Sequence, residues 1–120
     1  MIRYAIFPLL FALPAQAFTA SNNMGVQATG NAAFSVPYDG DASPAAFWCA
    51  AGQYVHYALG QPVATRIYRT SSLPRHSGQG MDFTLTAADS AGKTGLIMLG
   101  GEDGSISAAH AEVLCLFARK

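Results

Sequence analysis

The sequence predicts an α+β fold, a small single domain. A three-stranded antiparallel meander packs on one central helix, and a C-terminal helix or strand is tied to that helix by a disulfide. Three observations predict it. Ser43 to Gly60, SPAAFWCAAGQYVHYALG, carries helix signals at both ends and no charged residue. Met81 to Ala87, MDFTLTA, alternates apolar and polar side chains, as a half-buried strand does. Cys49 and Cys115 stand 66 residues apart in a chain that opens like an exported one.

In the helix, Ser43 can accept a hydrogen bond from an early N–H, and Pro44 suits the first helical position. Gly60 can take the left-handed conformation past the last turn, and Pro62 prevents continuation. Phe47, Ala50, Ala51, Tyr54, Val55, Ala58 and Leu59 recur at steps of three and four and line one face. Cys49, Gly52, Gln53 and His56 fall on the opposite side. A bridge from Cys49 draws the C-terminal segment over this second side, and Gly52 lets it come close.

Residues 1–17 read as a signal peptide. Arg3 is the positive start, Ala5 to Leu13 is an apolar run, and Ala15-Gln16-Ala17 is a small-residue cleavage pattern. The run is too short to span a bilayer as a helix. Cleavage after Ala17 leaves 103 of the 120 residues, begins the chain at Phe18 and points to the periplasm or the exterior. Residues 18–42 are expected to form a loosely ordered N-terminal arm with a short edge strand at Ala33 to Tyr38, confined to the edge by Pro37. The α+β domain then occupies 43–120.

Within it, VATRIYRTSS, Val63 to Ser72, is a strand candidate with Thr65, Ile67 and Arg69 on one face. LPRHSGQG, Leu73 to Gly80, is a loop. Met81, Phe83, Leu85 and Ala87 form the dry face of the next strand. Asp89 to Gly95 makes a hairpin connection into the short apolar run Leu96 to Leu99, and GGEDG, Gly100 to Gly104, is a sharp loop. The last segment reads two ways. As a helix it is capped by Ser107 and carries a stripe of Ile106, Ala109, Val113, Leu116 and Phe117; as a strand, Val113 to Phe117 fits the middle of a sheet. The Ala-rich start favours the helix.

Charge excludes one class of partner. With Arg3 removed, six basic residues face seven acidic ones, and no basic stripe suits a nucleic acid. No second long apolar run exists, so no integral membrane segment is expected after cleavage. Two cysteines in an exported chain most simply form one disulfide, and closing a loop of that length restricts the unfolded chain by about 4 kcal/mol.

Trp48-Cys49-Ala50-Ala51 at the start of a helix is the sharpest chemical signal, because a helix N-terminus lowers a thiol pKa. The stretch resembles the WCAA start of the catalytic helix in cell-wall amidases and peptidases of the CHAP and NlpC/P60 type. The tail Leu99 to Ser107, LGGEDGSIS, resembles a Gly-Gly segment found in some members. That resemblance implies a cysteine nucleophile at Cys49 with a histidine base on a following strand. The strands beginning at Met81 and Leu96 carry no histidine, which leaves His76 as the base. His56 lies seven residues along the same helix, about 10 Å away. A second cysteine argues instead that Cys49 is bonded rather than reactive.

The three histidines, His56, His76 and His110, make no i,i+4 pair and have no carboxylate at ligand spacing, so neither a metal nor any other cofactor is expected. Neither a P-loop nor a G-x-S-x-G elbow occurs. Arg66, Tyr68, Arg69, Arg75 and His76 form the one local basic cluster, suited to an anionic ligand or an acidic protein partner. The preferred expectation is a non-enzymatic exported module, a binding domain or envelope accessory. The alternatives are a cell-wall thiol hydrolase, and an inhibitor of an exported hydrolase that docks through the Leu73–Gly80 loop.

Overall fold

The computed structural model describes residues 18–72, 78–96 and 103–118. The leader at 1–17, Arg75 and His76 of the polar loop, and the apolar run beyond Leu96 lie outside them. Helix α1, Pro44–Gln53, begins where its start signals stand. Ser43 has the extended backbone of an N-cap and its carbonyl accepts from Ala46 N–H at 2.9 Å, but its side chain makes no capping bond. Pro44 supplies the first turn. The helix then widens into a π-helical turn, Tyr54–Ala58, closed by Leu59 N–H donating to the Tyr54 carbonyl at 3.0 Å. Gly60 at φ +65° ends it.

Six strands form one antiparallel sheet: β1 (Phe18–Thr19), β2 (Gly25–Gly30), β3 (Ala33–Val36), β4 (Arg66–Arg69), β5 (Met81–Thr84) and β6 (Ser105–Ser107). Their spatial order is β1-β2-β3-β5-β4-β6. The predicted meander is therefore wider than three strands, and residues 18–36 belong to the sheet. β3 is an interior strand, not an edge: Phe34 pairs with Ala28 on one side and Phe83 on the other. Pro37 does not prevent this, because it follows the last paired residue, Val36, and removes no ladder donor. Within β5, Met81 and Phe83 are buried and Asp82 is exposed, as the alternation requires.

The core lies between this sheet and α1. Phe34, Val36, Ile67, Met81, Phe83 and Ile106 join Phe47, Trp48, Ala51 and Val55. The Trp48 ring meets Phe83 edge-on with centroids 4.8 Å apart, and its indole N–H donates to the Thr94 carbonyl at 3.0 Å. Each such buried aromatic contributes about 1.5–3 kcal/mol by leaving water.

The C-terminal segment takes the helical reading, not the strand at Val113 to Phe117: helix α2, Ala108–Val113, runs into a 3-10 turn at Leu114–Leu116, and it is preceded by strand β6, which neither reading predicted and which pairs with β4. Ser107 caps α2 by accepting from His110 N–H at 3.1 Å. The predicted stripe is corrected. Ala108, Ala111 and Leu114 are the buried face, whereas Val113, Leu116 and Phe117 face solvent, the last two nearly four-fifths exposed. The reason is the close approach of the two helices. A Cβ at Gly52 would lie 2.7 Å from Ala111 Cβ, so only small side chains fit between them. No helix among the described residues is long and apolar enough to cross a membrane.

Candidate functional site

Cys49 sits in the second turn of α1, fully buried, and is joined to Cys115 in the 3-10 turn after α2, with Cα atoms 4.9 Å apart. The wheel that put Cys49, Gly52, Gln53 and His56 on one side is realised in full. Gly52 touches α2, and His56 Nδ1 lies 2.9 Å from Glu112 Oε2. Gln53 Nε2 donates to Ser21 Oγ at 2.8 Å and to Cys115 Sγ at 3.6 Å, while Gln53 Oε1 accepts from Ser21 N–H at 2.7 Å. One amide thus pins the turn after β1 to the helix and to the bridge. A sulfur held in this bond carries no thiolate, so the nucleophile implied by WCAA is not available in the oxidised chain. His76, the base of that reading, lies outside the described residues.

The basic cluster divides. Arg66 is exposed, but its guanidinium is held by Ser105: Nε and Nη2 reach Ser105 Oγ at 3.1 and 2.9 Å, and Nη2 reaches the Ser105 carbonyl at 3.0 Å. Ser105 N–H and Oγ–H in turn donate to Asp103 Oδ1 at 3.1 and 2.7 Å. These bonds, helped by the positive charge of Arg66, hold the Asp103 carboxyl below its ordinary range. Tyr68 is half-buried on the same strand.

Arg69 is corrected from a surface binding residue to a core residue. It is 1% exposed. Its Nε donates to the Lys93 carbonyl at 3.0 Å and its Nη1 to the Ser71 carbonyl, and burial pulls its pKa below the usual guanidinium value. Among the described residues no carboxylate pairs with it. The sequence held the clue: Arg69 is two residues from Ile67, so period-two alternation puts it on the dry face. Arg75 lies outside the described residues.

Sequence reasoning missed a pocket of about 480 Å³ between the π-helical turn and the first hairpin, lined by Phe18, Ala28, Tyr54, Tyr57, Ala58 and Leu59. Tyr54 packs against Phe18 and Phe34 at centroid distances of 5.8 and 4.7 Å, and Tyr57 stacks on His56 at 4.2 Å. Among the described residues no group of three or more His, Cys, Asp or Glu is placed to hold a metal. Comparison with known protein families, with curated proteins and with solved structures finds no match for this chain.

Proposed function

We propose that the chain is an exported, disulfide-braced module that binds rather than catalyses, working as an envelope accessory in a periplasm or outside the cell. The observation that carries this reading is the Cys49–Cys115 bond, which occupies the sulfur that the WCAA stretch would use for attack. Such bridges persist in oxidising compartments, which agrees with the leader pattern at 1–17. Arg66, still exposed at the edge of its serine network, is the described residue we assign to contact with an anionic ligand or protein partner.

Thiol labelling tests the reading. The native protein should take up no iodoacetamide until it is reduced. Cys49→Ser should lower the melting temperature and leave binding measurable. One fast-reacting thiol at neutral pH, with turnover of peptidoglycan peptides abolished by Cys49→Ser at little cost in stability, would establish the hydrolase instead.

A further inference from the structure

We propose that the pocket beside the π-helical turn is a binding site for a small, uncharged aromatic molecule carrying one hydrogen-bond acceptor, which the Tyr54 hydroxyl engages. This deepens the reading of the chain as a binding module and rests on it. Four observations carry the site. Its volume, about 480 Å³, is that of a small-molecule site. Its six lining residues include three aromatic rings and no charged side chain, so a charged ligand would be desolvated without compensation. Tyr54 is 6% exposed, yet among the described residues its hydroxyl makes no hydrogen bond. A hydroxyl with no protein partner at a pocket wall is a donor that an incoming acceptor can engage.

The fourth observation is the π-helical turn itself. Insertion of one extra residue into a helical turn is uncommon and concentrates at functional positions. Here the widened turn sets Tyr54, Tyr57, Ala58 and Leu59 along a single wall. Tyr57 is 65% exposed but held by its stack on His56, so the wall is formed before any ligand arrives. Burial also raises the Tyr54 pKa, which keeps the hydroxyl a donor at neutral pH.

The test uses the isolated, oxidised protein and two probes read by fluorine NMR. 4-Fluoroacetophenone has the ring and the acceptor; 1-ethyl-4-fluorobenzene has the ring alone. The expected result is saturable binding of the ketone, about five- to tenfold tighter than the hydrocarbon, the range that one added hydrogen bond supplies. Tyr54→Phe, which removes only the hydroxyl, should erase that preference while the protein melts as before. Ala58→Phe, at an exposed position on the wall, should abolish binding of both probes. Absence of saturable binding to a protein with its bridge intact overturns the proposal. So does ketone binding that Tyr54→Phe or Ala58→Phe leaves unchanged. Iodoacetamide silence in the same sample is independent of these outcomes, so failure of the pocket and failure of the non-enzymatic reading are told apart.

Discussion

Gly52→Ala adds one methyl where α1 and α2 touch, and opposing effects decide its sign. Replacing a mid-helix glycine by alanine favours the helix by about 1 kcal/mol. Against that, the new Cβ would stand 2.7 Å from Ala111 Cβ and 3.0 Å from both the Ala108 carbonyl and the Glu112 nitrogen. Two of these three neighbours are backbone, so no rotamer change relieves them. Helix α2 must move, while the Cys49–Cys115 bond and the β6 pairing hold it at either end. Because the clash is with backbone, the upper part of the overpacking range applies, about 2–3 kcal/mol, so the clash outweighs the helix gain by about 1–2 kcal/mol. In a domain of this size that lowers the melting temperature by roughly 5–15 °C. Calorimetry on the wild type, Gly52→Ala, Ala111→Gly and the double variant completes a cycle. Ala111→Gly should recover part of the loss, with a coupling above about 0.5 kcal/mol. Additive effects, or a Gly52→Ala protein as stable as the wild type, would refute the close approach.

Two further outcomes follow from groups the charge pattern alone misjudges. Arg69→Leu leaves the Lys93 and Ser71 carbonyls without their donor and should cost about 2–4 kcal/mol in a denaturant titration; Arg69→Lys should not rescue it, because an ammonium cannot span both sites. Asp103 has a carboxyl pKa depressed in the folded chain, so its ionised form favours folding. That benefit is complete above the unfolded value of about 4 and is lost as pH falls through the lower folded value. Melting curves from pH 6 downward should therefore show the gap between the wild type and Asp103→Asn closing below about pH 4; a gap independent of pH would remove Asp103 from the acid response.

How much of this was legible depends on what packs against what. Helix α1 was readable because Pro44 and Gly60 mark its ends by backbone chemistry that no tertiary contact overrides. Its second buried side was readable because a glycine on a charge-free helix has few other uses. Strand β2 was not, since GVQATG buries one large side chain, Val26, and its membership in the sheet rests on main-chain pairing to β3. The face of α2 was misread for a related reason. Contact at Gly52 selects alanines, so the large side chains of the segment are those left over for solvent. The site residues divide likewise. The two cysteines were pairable by count, whereas the Tyr54 pocket depends on a π-helical turn that side-chain periodicity does not encode.

Helix α1 is walled by β-strands in front and by α2 behind, with every residue from Ala46 to Gly52 buried. Its peptide groups can meet water only if one wall swings away. The sulfur–sulfur link tethers the rear wall, so in the oxidised chain small breathing motions should not uncover it, and amide exchange there reports on whole-molecule opening. Cutting the link turns the rear wall into a flap, and a reducing environment would loosen this protein from the C-terminal side first.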